Sequence, residues 1–278
     1  MTHHSFQIAG MNEHFKRHPL SMFLDAMVSL EIESIELWAG SPHLYVEDAS
    51  VQEVEKLRRD IQERGLHLIC LTPEQCIYPI NIAAKEPEVR QKSIEYFLKS
   101  LEISSALECK MLQIVPGKGY YDESTGEAWK RSRESLEIIA KKAEQMSISV
   151  VLEALEKKES NLIPDSLSLK KMLEEIKSPN LKAVVDTCPM AAAGESFTDC
   201  FRELGSDIKH VHLADSFHSV LGEGTLPIYQ YLDELTKHNY KGFVTVEIVG
   251  RNYVFEPVKA IQKSLAYLDQ YTVSKAAL

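Results

Sequence analysis

The chain carries eight short apolar runs of the kind that form buried strands, at residues 6–9, 34–38, 67–71, 111–115, 149–153, 183–186, 210–213 and 243–247. Between them lie longer stretches in which apolar side chains recur every three or four positions, such as 51–64, 88–105, 132–146, 166–176 and 228–238. That spacing places the apolar groups on one stripe of a helix. Strand starts recur about every 34 residues, near the size of one strand-plus-helix unit. The pattern predicts a single (β/α)8 barrel over residues 1–278, with a short frayed tail from about 272 to 278. An open, doubly wound sheet is the alternative. No G-x-G-x-x-G turn follows the first run, however, so dinucleotide binding has no positive signal.

Composition agrees with that architecture. The 278 residues are 44% hydrophobic and 26% charged, ordinary proportions for a folded protein with one large core. The 31 Lys+Arg against 41 Asp+Glu give a net charge of −10, which argues against nucleic acid as the main partner, because phosphate binding draws on clustered cations. No run approaches the ~18 apolar residues of a membrane span. The opening Met1-Thr2-His3-His4-Ser5 also lacks the basic start and apolar core of a secretory signal, so a cytoplasmic protein without a membrane partner is expected. Cys70, Cys76, Cys109, Cys188 and Cys200 are scattered and form no C-x-x-C pair. They are expected as reduced core thiols rather than a disulfide framework or a thiolate zinc site.

In a (β/α)8 barrel the active site gathers at the C-terminal ends of the strands. The last four runs end, or nearly end, in Glu153, Asp186, His212 and Glu247. Any one of these has an ordinary explanation as a helix cap or a surface ion-pair partner; four in succession at equivalent depth point to a shared site. Three carboxylates and one imidazole suit a divalent cation such as Mn, Co or Mg better than a thiolate-bound metal. A cation also relieves the mutual repulsion of the carboxylates. His210 shares the strand parity of His212 and is expected to pack inside the barrel one layer lower, with orienting the metal ligands as the alternative.

The runs Ile35-Glu36-Leu37-Trp38-Ala39-Gly40-Ser41-Pro42-His43, Thr72-Pro73-Glu74-Gln75, Leu152-Glu153-Ala154-Leu155, Glu159-Ser160-Asn161, Val185-Asp186-Thr187-Cys188, His210-Val211-His212-Leu213-Ala214-Asp215-Ser216, Gly222-Glu223-Gly224 and Thr245-Val246-Glu247 carry a resemblance over nearly the whole chain. It is similar to the sugar isomerase/epimerase superfamily with the xylose isomerase-like barrel, and within it to the fructoselysine 3-epimerase and ketose 3-epimerase group. The resemblance implies that Glu153, Asp186, His212 and Glu247 bind one metal ion and that Glu153 and Glu247 double as the acid/base pair. It also implies that Glu159 contacts the substrate. Two positions depart from related ketose epimerases, Pro189 where they carry a His and His218 where they carry an Arg. Both concern the substrate contacts, and His218 is retained among them.

The chemistry suits these residue types. A 2-keto sugar chelates a divalent ion through its carbonyl and an adjacent hydroxyl, and the metal supports the enediolate formed when the intervening C–H loses its proton. One carboxylate removes that proton and another returns one on the opposite face, inverting the carbon. Trp38 and His43 are candidates for an apolar wall and a polar contact, with packing against a neighbouring loop as the alternative. Pro116-Gly117-Lys118-Gly119 and Gly222-Glu223-Gly224 read as substrate loops or tight turns, and Arg251 as a phosphate contact or a surface salt bridge. Competing functions are a metal-dependent dehydratase of a cyclic keto-polyol and a non-catalytic sugar-sensing barrel. By analogy with related barrels, whose active-site loops a neighbour often closes, a homo-oligomer is expected.

Overall fold

The computed structural model describes residues 5–75, 79–250 and 252–276. Val, Ile and Leu dominate the apolar runs, and such runs form parallel strands when helices cover one face and a packed interior fills the other. The strands are β1 (Gln7–Met11), β2 (Ser34–Ala39), β3 (His67–Pro73), β4 (Met111–Ile114), β5 (Ser149–Glu153), β6 (Leu181–Asp186), β7 (Ile208–Leu213) and β8 (Phe243–Val246). All pair in parallel in chain order, and β1 pairs with β8 through Gln7 and Phe243, which closes the barrel. The closed (β/α)8 barrel expected from the pattern is therefore present.

Nine helices among the described residues sheathe the strands: α1 (Leu20–Ser29), α2 (Val51–Gln62), α3 (Pro87–Ala106), α4 (Thr125–Met146), α5 (Ser166–Ile176), α6 (Thr187–Ala192), α7 (Phe197–Leu204), α8 (Ile228–Lys237) and α9 (Pro257–Ala276). Ser50 caps α2 and Asp165 caps α5, each accepting the backbone N–H three residues on, which supplies a partner to otherwise orphaned donors. The start of α4 lies seven residues before the expected one. Its inward stripe there is small and polar, Ala128, Ser132 and Ser135, and the serines satisfy themselves on the carbonyls of Pro116 and Ile82, both at 2.7 Å. The expected frayed tail is corrected as well. Residues 272–276 continue α9, which is tied to α8 because the Tyr271 hydroxyl and Lys275 Nζ both reach Asp233, at 2.6 and 2.7 Å.

Candidate metal centre

Parallel pairing puts the C-terminal ends of all eight strands on one rim. Glu153 and Asp186 end β5 and β6, His212 is the penultimate residue of β7, and Asp186 pairs in register with His212. Glu247 falls one residue beyond β8, yet its N–H continues the ladder to the Leu213 carbonyl at 3.1 Å. The structure brings these four side chains together. Donor atoms of Glu153, Asp186 and His212 lie within 4.8 Å of one another. His212 Nδ1 is 3.2 Å from Glu247 Oε2 and 3.7 Å from Glu153 Oε1.

Burial is the largest influence on Glu153 and pushes its carboxyl up to about 7, with Asp186 and Glu247 adding to the effect against the lowering pull of His212. Burial acts upward on Asp186 too, but the adjacent His218 imidazole overrides it and holds that carboxyl below its ordinary value. On His212 burial works against the charged form, and the Glu36 and Glu247 carboxylates reverse it, holding the imidazole well above its usual range. Protons thus compensate the carboxylates where no cation does. His212 Nδ1 and Glu247 Oε2, which face each other, are buried and have no hydrogen-bond partner among the described residues. A divalent ion would take the place of a proton between this imidazole and carboxylate, so the oxygen-rich donor set fits one.

The groups behind these donors come from the first half of the chain, and most were not anticipated. Gln113 on β4 donates to Glu153 Oε2, Gln75 after β3 donates to the Gln113 side chain, and the Val115 N–H closes the chain on Gln75 Oε1 at 2.8 Å. Glu36 on β2 is fully buried. It accepts from the Thr72 hydroxyl, from His210 Nε2 at 2.7 Å and from His212 Nε2 at 3.0 Å. Its signal was present in the sequence: a lone carboxylate inside a strand that is buried at every position. His210 is interior as expected, but it is a hydrogen-bonded member of this network rather than inert packing.

The expected substrate contacts divide. His218 joins the quartet, its Nε2 at 2.9 Å from Asp186 Oδ2 and 3.7 Å from Glu247 Oε2. Glu159 sits on the exposed loop after β5, with no side-chain hydrogen bond or ion pair among the described residues and within the electrostatic field of Asp186 and His218. Trp38 is mostly buried, lowers the Glu74 carboxyl against the upward effect of burial, and has Lys16 Nζ 5.8 Å from its ring centre. His43 bonds to neighbouring loops. Asn12 donates to its Nδ1 at 2.7 Å and its Nε2 donates to the His18 carbonyl at 2.9 Å, so both ring nitrogens are already engaged. The same Asn12 brackets the Trp38 backbone.

The two glycine loops are tight turns. Gly117 has φ +74°, and a Cβ there would meet Asn81 Oδ1 at 2.5 Å. The Gly222 to Gly224 loop wraps Asp215, which accepts from the N–H groups of Gly222 and Leu226. Cys70, Cys109, Cys188 and Cys200 are buried free thiols, while Cys76 and Arg251 lie outside the described residues.

A (β/α)8 barrel whose strand ends gather three carboxylates and an imidazole around orphaned donor atoms defines a class of metal-capable barrels. The chain belongs to the xylose isomerase-like TIM barrel family, whose model matches residues 24–271. It is similar to a fructoselysine 3-epimerase of Escherichia coli O157:H7, at 27% identity over 84% of this chain and 86% of that one. A D-psicose 3-epimerase of Ruminiclostridium cellulolyticum is 25% identical over 81% of this chain and 76% of that one. Among solved structures, the apo 3-keto-D-glucoside 4-epimerase of E. coli shares the fold with a TM-score of 0.81 and 18% identity, over 95% and 99% of the two chains. Among the described residues no helix is long and apolar enough to cross a membrane.

Proposed function

We propose that the chain is an enzyme of the isomerase class, a divalent-metal-dependent epimerase that inverts the carbon beside the carbonyl of a 2-keto sugar or ketosamine. The observation that carries this reading is the convergence of Glu153, Asp186, His212 and Glu247 around two buried atoms left without partners. The likeness to curated proteins named fructoselysine 3-epimerase and D-psicose 3-epimerase supports the reaction type.

In this reading the quartet holds one Mn, Co or Mg ion. When bound, the ion polarises the substrate carbonyl and supports the negative charge that gathers on its oxygen as the neighbouring C–H is deprotonated. Glu153, buried at the end of β5, is placed to move a proton on one face of the substrate. Glu247 comes from β8, three strands round the ring from β5, and addresses the opposite face. A proton taken by one carboxylate cannot cross to that face, so the other delivers a different one. Glu159 and His218 contact the sugar hydroxyls, and Trp38 forms part of the wall. The reading extends to a homo-oligomer: Phe217 and Phe255 expose 90% and 79% of their surface in the loops after β7 and β8, where a second copy would cover them, and light scattering measures the mass.

The test is a panel of 2-ketoses and Amadori-type ketosamines incubated in deuterated water with chelated protein and with protein reloaded with Mn, Co or Mg. The expected result is metal-restored epimerisation with one solvent deuteron gained at the inverted carbon per crossing. Product formed at full rate by the chelated protein overturns the reading. So does product free of deuterium, which marks a hydride shift, or a new conjugated absorbance, which marks dehydration.

A further inference from the structure

Glu36 lies in the barrel interior behind the quartet, on the far side of the His212 ring. Its two carboxylate oxygens are divided between two imidazoles, Oε1 at 3.0 Å from His212 Nε2 and Oε2 at 2.7 Å from His210 Nε2. The Thr72 hydroxyl donates to Oε1 as well, and Thr245 Oγ1 stands 3.2 Å from His210 Nε2. The two rings are 5.0 Å apart and nearly perpendicular, at 88°, so one carboxylate anchors both at once. An ionised carboxylate is an acceptor only. Its contact therefore keeps a proton on Nε2 of His212 and turns Nδ1 toward Glu247 and Glu153, so Nδ1 is the nitrogen that an ion would take in exchange for a proton.

We propose that Glu36 is the positioning residue of the metal centre: it fixes the tautomer and ring angle of His212, and through them sets the affinity of the quartet for its ion. The proposal rests on the metal-dependent reading given above. A carboxylate on the distal nitrogen of a ligating imidazole also makes the proximal lone pair more basic. One observation separates this role from that of a structural ion pair: Glu36 bonds the nitrogen of His212 opposite the one turned to the quartet. Glu36, Cys70 and His210 come close enough to meet an ion themselves, but both oxygens of the carboxylate are already engaged by three donors. The cluster is therefore a hydrogen-bond anchor.

The experiment titrates chelated wild type, Glu36→Gln and Asp186→Asn with Mn(II), following the free ion by electron paramagnetic resonance. It also records the imidazole N–H resonances of the magnesium-loaded wild type. The expected results are Mn binding by wild type, about 10–100-fold weaker binding by folded Glu36→Gln, and loss of binding in Asp186→Asn. Wild type should show two slowly exchanging, far-downfield imidazole protons, one of which disappears in His210→Asn. Equal Mn affinity in folded Glu36→Gln and wild type overturns the role of Glu36 and leaves the proposed function standing. Absence of the His212 Nε2 proton in wild type overturns it without any variant needing to fold at position 36. Wild type that binds neither Mn, Co nor Mg overturns the function first, and the role of Glu36 with it.

Discussion

Strands β5 to β8 and strands β1 to β4 both carry polar side chains toward the same end of the barrel, and they spend them in different ways. The second half presents Glu153, Asp186, His212 and Glu247 toward one another, with two donor atoms left unpartnered. Among the described residues of the first half, Asn12, Glu36, Thr72, Gln75 and Gln113 all end in hydrogen bonds to protein atoms. Satisfied polar groups rigidify their surroundings, and unsatisfied buried ones are costly unless something binds them. One half of the ring therefore offers the donors of the proposed metal centre, and the other half frames them.

The sharpest way to break that division is to remove a donor. Asp186→Asn should abolish metal binding and lower turnover about a thousandfold or more, whereas Glu159→Gln should keep the metal and lose turnover or substrate affinity. Calorimetric metal titration beside chromatography of epimers checks both, and equal metal loss in the two variants erases the distinction between ligand and contact.

A second test uses protons. Between about pH 4.5 and 7 the folded chelated protein holds a proton on Glu153, whose carboxyl burial raises to about 7, while the unfolded chain has released it. The folded state thus binds more protons than the unfolded one in that window, and stability falls as pH rises through it. Each pKa unit is worth about 1.4 kcal/mol, so the loss is on the order of 3 kcal/mol. His212, held above its ordinary value by Glu36 and Glu247 against burial, adds a loss of the same sign above about pH 6.5. Denaturant melts at several pH values should show this decline in chelated protein and its disappearance with saturating Mn, because the ion replaces the protons. A flat profile without metal would contradict the crowding of carboxylates in the second half.

Two smaller changes probe the frame. Gln113→Ala removes the donor to Glu153 and should cost about tenfold to a hundredfold in metal affinity or activity, measured by the same titration. His43→Ala strips a bridge between Asn12 and the His18 carbonyl. It should lower stability by about 1–3 kcal/mol, seen in thermal melts, while kcat/KM stays within about twofold. A large kinetic loss would return His43 to the substrate site.

The same division explains what the sequence reveals. Ligands at strand ends are legible because an ionisable residue closing an apolar run stands out against its neighbours, as Glu153 does after Val150, Val151 and Leu152. Alternation of strand and helix fixes the barrel in the same way. Frame residues are harder to read because their partners are remote: Gln113 resembles any amide in a strand until Glu153, 40 positions away, is beside it. His43 reads as a sugar contact until the loop carrying His18 folds over it. The helix α4 began early for a related reason, since serines bonded to carbonyls form an inward stripe that an apolar pattern does not mark.

The bond between Glu36 and His212 spans 176 positions, and this has a consequence for biosynthesis. A chain leaving the ribosome exposes β2 long before β7 exists, and a carboxylate without its donors cannot be buried at acceptable cost. The early strands therefore have no finished interior to pack on before His210 and His212 arrive, and the ring itself closes only when β8 pairs with β1. Closure of the barrel and completion of the proposed ion-binding centre both wait for the end of the chain, because Glu247 follows directly on β8.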